Sequence, residues 1–440
     1  MNSQFILMKN FITVICLVVG LHASAHRYAV GDDGPANNKV YMSESHMFAK
    51  ISSKEVWVAY DAFNKYLFDP QTHIYKVNTA TADGADTKEK VGAIWTQAIY
   101  WDMAMNAYKK ASDEGDKAKQ SKYKALVEQM YQGAGDHYVH FDWHNQDPHN
   151  GWFIYDDIMW WTISFARAYG IFKDDEYLKR ADESFCRVWH GSYLLKDRGS
   201  YDKENGGMFW NWNNTNPPDN RDNGKMSCIN FPTVIAAVTL YNNIDPADEQ
   251  HQTDDQVGFN GDPHYPRWHS RNTYLQNAKE IYAWGVNNLF NKNTGNVADS
   301  RHGNQVDWSA SMYNQGTFIG ASCLLYKLTG EQSYLDNAVA AANYAMNILC
   351  EPPLYIFPYR RGEEQGIYTA IFAQYMAMLV YDCGQTQFLD WVLRTVSHGW
   401  KNKNKMNLTG KNYTSIPDSP VSCYDASGIP ALMLLFSGNR

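Results

Sequence analysis

Charge is scarce in this sequence, whereas aromatic residues are abundant. Asp, Glu, Lys and Arg make up 20% of the 440 residues, and the net charge is only −8. An ordinary globular protein carries roughly 25% charged residues. Aromatic residues (Phe, Trp and Tyr) make up 15% of the chain. The low charge and the many aromatic residues argue against a disordered chain and against a nucleic-acid binder that neutralises phosphates. An aromatic-rich polar surface suits uncharged, hydroxyl-rich ligands such as sugars.

Long apolar runs are absent after the N-terminus. The run from Phe11 to Leu21 follows Lys9 and precedes the small residues Ala23-Ser24-Ala25, which is the pattern of a cleavable signal peptide. We predict a signal peptide over residues 1–25, cleaved after Ala25, and an N-terminal extension over residues 26–50. No later stretch reaches the roughly 18–20 apolar residues of a spanning helix. We therefore expect an exported monomer, periplasmic or secreted, that does not span a membrane.

Metal and cofactor motifs are also missing. The cysteines beyond residue 25 form no CxxC or Cys/His finger, which favours buried free thiols over structural zinc at Cys186, Cys228, Cys323, Cys350, Cys383 and Cys423. His140 and His144, between His137 and His149, have the i,i+4 spacing of a metal pair on a helix, but the sequence contains no HExxH motif. It also contains no Gly-rich phosphate loop and no GxSxG elbow. We expect neither metal nor cofactor.

Apolar residues recur at helical spacing through most of the chain, whereas strand-like alternation is nearly absent. The pattern predicts about twelve helices, which start near Ser52, Val91, Ser121, Asp157, Glu176, Cys228, Asn272, Tyr313, Ser333, Gly366, Gln387 and Asp425. A Tyr-Leu-x-x-Ala segment recurs at Tyr177, Tyr274 and Tyr334, with a weaker copy at Phe388. The last two intervals, of 60 and 54 residues, are typical of one helical hairpin per repeat.

Six such hairpins close most simply into a ring. We predict an all-α fold, an (α/α)6 barrel, in a single domain over residues 51–440. An open superhelical solenoid is the alternative, although it would need polar end caps. The irregular stretches over residues 196–226 and 243–269 interrupt the helices, and we expect the second to be an insertion on the rim.

In an alternating array, every second helix runs in the same direction, so the even-numbered helices all start on one face. Their predicted starts carry polar and aromatic side chains, whereas the odd-numbered helices begin with ordinary surface residues. The candidates for a ligand site at this mouth are Trp95, Gln97, Asp156, Asp157, Cys228, Asn230, Tyr313, Asn314, Gln315, residues 363–366 and residues 425–428.

Two adjacent aspartates, Asp156 and Asp157, stand at one of these starts. Trp152, Tyr155 and Trp160-Trp161 surround them in sequence. Asp is favoured as an N-cap and in the first turn of any helix, which is the structural interpretation. The catalytic interpretation is that two carboxylates in an aromatic setting cannot both ionise easily, so their pKa values separate. One ionised and one protonated carboxylate suit glycoside hydrolysis.

A glycine pair in Gly206-Gly207-Met208-Phe209-Trp210 is a further candidate contact. Paired glycines let a backbone approach a ligand closely, and a Trp face packs against the apolar side of a sugar. A simple turn explains the same segment equally well. We keep Gly206, Gly207 and Trp210 as candidate substrate contacts, together with Trp95, Trp152, Tyr155 and the polar residues at the even-numbered helix starts.

These segments resemble glycoside hydrolase family 76. The resemblance is carried by the Asp pair with Trp160-Trp161, by Gly206-Gly207-Met208-Phe209-Trp210 and by Tyr313-Asn314-Gln315-Gly316. It runs from about Val56 to the C-terminus. The resemblance implies an (α/α)6 barrel and an endo-α-1,6-mannanase, with α-mannan as the substrate and a retaining double displacement. It also implies that Asp156 is the nucleophile and that Asp157 is the acid and then the base.

The sequence alone leaves several alternative functions open. A non-catalytic glycan-binding protein on the same scaffold would bind oligosaccharides without turnover. A transglycosylase differs from a hydrolase only in the acceptor that intercepts the covalent intermediate. A lyase or hydrolase of uronic-acid polymers, or an epimerase, would favour a cationic cleft, and the even-numbered helix starts contain no Lys or Arg.

Overall fold

The computed structural model describes residues 51–192, 194–211, 224–246, 270–362 and 364–437. This part of the chain contains twelve α-helices: α1 (Ser53–Leu67), α2 (Ile94–Asp113), α3 (Lys117–His137), α4 (Tyr155–Phe172), α5 (Asp175–His190), α6 (Ser227–Asn243), α7 (Arg271–Asn288), α8 (Met312–Thr329), α9 (Gln332–Tyr344), α10 (Ile367–Ala377), α11 (Leu389–Lys401) and α12 (Cys423–Phe436). Each begins within four residues of its predicted start.

The even-numbered helices form a closed inner ring. Each contacts the next in the order α2, α4, α6, α8, α10 and α12, and α12 contacts α2 again. The odd-numbered helices lie outside, where α3, α5, α7 and α9 each pack against the inner helix before them, while α11 and α1 pack against α12. Ring closure confirms the predicted (α/α)6 barrel and excludes the open solenoid.

Burial separates the two layers. Every residue of α12 except Asp425 is buried, because an inner helix packs against neighbours on all sides and is therefore apolar all round. The outer α11 instead buries one face, including Trp391, Val392 and Val396. This difference follows from hydrophobic patterning, which the sequence carries directly.

Local capping explains several helix boundaries. Ser52 caps α1 through a capping box, in which its side chain accepts from the Glu55 backbone N–H while the Glu55 carboxylate accepts from the Ser52 N–H at 2.9 Å. Ser311 and Ser422 cap α8 and α12 in the same N-terminal position. Helix α8 ends at Gly330, whose φ of 73° is the left-handed conformation that glycine favours.

The described residues include five short strands, which lie in the connections between helices. β1 (Gly224–Met226) pairs with β4 (Ser300–His302), and β4 pairs with β5 (Gln305–Asp307), all antiparallel. A separate antiparallel pair joins β2 (Phe290–Asn291) and β3 (Asn296–Val297). Short 3₁₀-helical turns lie at Val139–Phe141, Glu364–Gly366 and Thr386–Phe388, and short π-helical turns lie at Ala345–Leu349 and Met378–Asp382. The near absence of strand patterning agrees with strands this short.

Several predictions fall on residues outside the described ranges. The signal peptide over residues 1–25 and the extension over residues 26–50 lie there, as does most of the predicted rim insertion. The domain boundaries at 25 and 50 therefore stay predictions. Across the part of the chain that is described, no helix combines the length and the apolar character needed to cross a membrane.

Helices α8 and α10 approach closely at glycine. A Cβ built on Gly320 would lie 2.3 Å from Tyr375 Cδ1 on α10, which is far below van der Waals contact. We expect Gly320→Ala to lower the free energy of unfolding by about 1–3 kcal/mol, because overpacking forces the tyrosine or the backbone to move. Urea denaturation measures the change.

Gly135 in α3 provides the matched control. A Cβ there would meet its nearest neighbour, Phe141, at 3.6 Å, which is an ordinary contact. Gly135→Ala should therefore stabilise the helix by up to about 1 kcal/mol through helix propensity alone. Equal effects of the two substitutions would contradict the close packing of α8 on α10.

Candidate active site

A cavity of about 510 Å³ opens where the inner helices begin. The first turns of five of the six inner helices line it, through Trp95 on α2, Asp156 on α4, Cys228 on α6, Tyr313 on α8 and Tyr368 on α10. The sixth, α12, lies beside the cavity, since the Tyr424 hydroxyl accepts a hydrogen bond from the lining residue Ala93 at 2.9 Å. The predicted gathering of even-numbered helix starts at one mouth is thus observed.

The chain enters α4 in a way that presents both aspartates to this cavity. Ile154 is the N-cap, in extended conformation with φ −118° and ψ 127°, and it makes no side-chain cap. The Tyr155 N–H donates to the Trp210 carbonyl at 3.0 Å, which ties the helix start to the glycine segment. Asp156 and Asp157 therefore occupy the first turn rather than the N-cap, so capping does not account for them.

Asp156 is a half-buried residue whose carboxyl group has few partners. The backbone N–H groups of Asp156 and Asp157 and the thiol of Cys228 hydrogen-bond to it. Its Oδ1 atom has no hydrogen-bond partner among the described residues. Because Asp156 lines the cavity, this oxygen is available to a ligand there.

The two carboxyl groups differ in acidity. Burial raises the pKa of Asp156 to about 7, against the hydrogen bonds from Cys228 and the backbone. Burial also raises the pKa of Asp157 well above its usual range, and the charges of Asp156 and Glu364 raise it further, while Lys88 opposes them. Because Asp157 is the weaker acid, it holds a proton when Asp156 ionises near neutral pH.

The raised pKa values predict how stability depends on pH. The folded chain keeps protons that unfolded aspartates release near pH 4. The contribution of this pair to stability is fully present below about pH 4 and is lost as the pH rises through the raised values, about 7 for Asp156. Each unit by which a pKa is raised corresponds to about 1.4 kcal/mol. We expect the double variant Asp156→Asn/Asp157→Asn, which lacks this loss, to be increasingly more stable than wild type between pH 4 and pH 8.

Calorimetric Tm values across this pH range test the expectation. Asp336→Asn is the control, because Asp336 is an exposed residue of the outer helix α9, and it should track wild type. A Tm difference between wild type and the double variant that is the same at pH 4 and pH 8 would contradict the raised pKa values.

Aromatic rings form walls of the cavity. Trp95 and Trp160 have ring centroids 6.2 Å apart, and Tyr313 and Tyr368 have centroids 4.2 Å apart. Trp210 also lines the cavity. Aromatic faces beside buried carboxyl groups suit a pyranose ring, which presents both apolar C–H faces and hydroxyl groups.

Eight predicted contacts do not line this cavity, and four of them are buried amides. The reason is that a buried amide must satisfy its own hydrogen bonds. Gln97 accepts from the Tyr75 N–H at 2.9 Å, and Asn230 from the Met208 N–H at 2.9 Å. Gln315 accepts from the Val297 N–H at 2.6 Å and donates to the carbonyls of Gly295 and Ala341. The Asn314 amide donates to Asp299 at 3.3 Å.

The other four predicted contacts lie outside the cavity lining and contact other parts of the protein: Trp152, Tyr155, Gly206 and Gly207. The Tyr155 hydroxyl donates to Asp197, which is paired with Arg187, and the Trp152 ring packs 4.6 Å from that of Trp143. Gly206 and Gly207 have φ values of 71° and 77°, and a Cβ on either would lie within 2.8 Å of the Trp284 ring. The close approach expected of this glycine pair is therefore to an indole of the same chain.

The structure adds Lys88, His137, His149 and Tyr368 to the contacts predicted from the sequence, and it places Glu364, from the candidate range 363–366, in the lining. The predicted Trp95, Asp156, Asp157, Trp210 and Tyr313 also line the cavity. His137 and His149 flank the pair His140 and His144, which the sequence analysis considered for a metal, and neither member of that pair lines the cavity. Within the described ranges, no three His, Cys, Asp or Glu side chains are grouped so as to hold a metal ion. The six predicted free cysteines are all buried and unpaired by disulfides.

Comparison with known proteins gives one family. A family model described as glycosyl hydrolase family 76 matches residues 59–250 and 266–420. A comparison with curated proteins finds no match. Among solved structures, an inactive variant of the α-1,6-mannanase GH76A of Salegentibacter sp. HEL1_6 in complex with α-1,6-mannotetrose aligns with a TM-score of 0.66 at 19% identity, covering 87% of this chain and 98% of that one. The variant carries alanine in place of two consecutive aspartates.

Two further structures are similar. The family 76 glycoside hydrolase (mannosidase) Bt3792 from Bacteroides thetaiotaomicron aligns with a TM-score of 0.64 at 20% identity, covering 87% of this chain and 96% of that one. Dfg5 from Chaetomium thermophilum, in complex with glucosamine, aligns with a TM-score of 0.60 at 14% identity, covering 89% of this chain and 92% of that one. At these identities the likeness shows the fold.

Proposed function

The chain belongs to glycosyl hydrolase family 76, and on that premise we propose that it is a retaining endo-α-1,6-mannanase acting on the backbone of α-mannan. Family membership makes it a glycoside hydrolase. The single observation that carries the finer proposal is the half-buried Asp156-Asp157 pair in the lining of an aromatic cavity. The Salegentibacter mannanase bound to α-1,6-mannotetrose supports the choice of substrate. We also propose that the chain acts as an exported monomer.

The proposed reaction has two steps. In the first, ionised Asp156 attacks the anomeric carbon while protonated Asp157 gives its proton to the departing glycosidic oxygen, which leaves a mannosyl ester on Asp156. In the second, Asp157 accepts a proton from water, and the oxygen of that water displaces Asp156 from the anomeric carbon. Two inversions return the α configuration.

The environment of each carboxyl group supports these roles. Backbone N–H groups and the Cys228 thiol hydrogen-bond to Asp156, and hydrogen bonds to a carboxylate favour its ionised form. The charge of ionised Asp156 raises the pKa of Asp157, which keeps a proton available for the leaving oxygen. A general acid with its pKa raised toward the working pH is what this chemistry needs.

Product analysis on linear α-1,6-mannan tests the proposal. We expect a ladder of manno-oligosaccharides, as an endo-acting enzyme gives, and proton NMR should detect the α-anomer before mutarotation. Mannose as the sole product would contradict endo action, and an initial β-anomer would contradict retention. Polymer that is bound but left intact would support the glycan-binding alternative instead.

Transglycosylation is a second outcome of the same intermediate. One structural neighbour is Dfg5 in complex with glucosamine, so a protein of this fold can bind a sugar other than mannose. Products longer than the oligosaccharide supplied would show that a sugar acceptor competes with water for the mannosyl ester. Their absence at high acceptor concentration would favour hydrolysis.

A further inference from the structure

The order of the inner ring places a third carboxylate opposite the aspartate pair. Six inner helices contact one another in sequence around the ring, so α4 and α10 lie on opposite sides. Asp156 and Asp157 are in the first turn of α4, while Glu364 begins the short turn Glu364–Gly366 that leads into α10. Glu364 lines the same cavity. The mouth is therefore bounded by carboxyl groups on two facing sides.

The turn that carries Glu364 is held firmly against α12. The Lys411 ammonium group donates to the Gly362 carbonyl at 2.5 Å and lies 3.3 Å from an Asp425 carboxylate oxygen. At the other end of the turn, a Cβ on Gly366 would lie only 2.4 Å from the Asp425 Cα atom. The Gly366 end of the turn therefore packs closely on α12, and this contact positions Glu364 at the cavity, as a binding residue requires.

A carboxylate at this position has an electrostatic cost. The charge of Glu364 raises the pKa values of both Asp156 and Asp157, so it opposes ionisation of the pair. A sugar ring with several hydroxyl donors offsets such a cost, because hydrogen bonds from neutral donors to a carboxylate are among the stronger ones in proteins. An anionic sugar would instead add repulsion.

We propose that Glu364 is a substrate-binding, specificity-determining residue, whose carboxylate accepts hydrogen bonds from hydroxyl groups of a neutral mannose unit lying between α4 and α10. This proposal rests on the function proposed above and deepens it. It favours an uncharged mannan, since the negative charges of Glu364 and ionised Asp156 would repel a uronic acid, although Lys88 in the same lining opposes them.

Binding without turnover tests the contact directly. In the double variant Asp156→Ala/Asp157→Ala, which keeps the cavity but lacks the reacting groups, calorimetry with α-1,6-mannotetraose gives the parent affinity. Adding Glu364→Gln should weaken binding about tenfold to a hundredfold, the range for a lost hydrogen bond to a charged group. Adding Glu364→Asp, which keeps the charge on a shorter side chain, should weaken it less.

Glu331→Gln is the matched control. Glu331 is exposed and lies at the start of the outer helix α9, so the same chemical change there should leave the affinity unchanged. Circular dichroism confirms that each variant is folded. An affinity within twofold of the parent for Glu364→Gln would overturn the proposal.

Activity separates this proposal from the proposed function. If wild type cleaves linear α-1,6-mannan and Glu364→Gln leaves mannotetraose binding and kcat/KM unaltered, only the proposed role of Glu364 is overturned. Wild type that leaves mannan intact, while Glu364→Gln weakens mannotetraose binding, overturns the hydrolase and supports the contact. Absence of both cleavage and binding overturns both.

Discussion

Alanine at Asp156 should reduce mannan cleavage by about 10⁴-fold or more, because the variant lacks the carboxylate that forms the mannosyl ester in the proposed mechanism. Alanine at Asp157 should cost about 10²–10⁴-fold, the usual contribution of a general acid–base group. Both carboxyl groups line the cavity, and removing either relieves the repulsion between them. We therefore expect folded, stable variants, checked by Tm alongside kcat/KM on linear α-1,6-mannan.

Azide distinguishes the two roles. In Asp156→Ala, azide can enter the vacated space and attack the anomeric carbon once, which gives a β-mannosyl azide. In Asp157→Ala, azide replaces water in the second step and gives an α-mannosyl azide. Asp157→Ala should also keep more activity on aryl mannosides, whose leaving groups need no proton. Reversed configurations of the two azides would show that the roles are exchanged.

The second large expected effect is on stability, and it concerns the buried ion pair of Arg187 and Asp197. Both side chains are fully inaccessible, and Arg187 Nη1 lies 2.6 Å from Asp197 Oδ2. Asp197 also accepts from the Tyr155 hydroxyl and from the Gly199 N–H, the latter at 3.0 Å. Arg187→Met should lower the free energy of unfolding by about 3–5 kcal/mol, because it strands a buried carboxylate.

Urea denaturation measures this loss, and two variants make it specific. Arg187→Met/Asp197→Leu removes both charges and should recover part of the stability, since replacing a whole buried pair is far less costly than breaking it. Lys327→Met breaks an exposed pair with Asp382 of similar length, 2.7 Å, and should cost less than about 1 kcal/mol. A loss in Arg187→Met no larger than in Lys327→Met would contradict the burial argument.

This ion pair also connects stability to the site. Tyr155, whose hydroxyl donates to Asp197, immediately precedes Asp156 in the first turn of α4. We expect Arg187→Met to lower kcat more than its folded fraction explains, because a displaced helix start moves the aspartate pair. A displacement of about 1 Å in a reacting group is enough to reduce a rate strongly.

Local sequence determined the secondary structure and the face on which the site lies. Helical periodicity and serine caps such as Ser52, Ser311 and Ser422 act over a few residues, so all twelve helix starts could be predicted closely. Alternation of helix direction then brought the even-numbered starts to one mouth. The position of the Asp156-Asp157 pair at that mouth followed from the same short-range signals.

Tertiary packing decided which side chain of each helix start meets the cavity. Tyr313 lines the cavity, whereas Gln315, two residues later, points to buried backbone groups, because successive helical positions face different neighbours. The sequence shows where polar residues lie along the chain, but it does not show which of them must hydrogen-bond to buried backbone N–H and C=O groups. Glu364 shows a related limit. Residues 363–366 were candidates because they precede a helix start, but only ring closure brings α10 opposite α4 and shows that Glu364 lines the cavity.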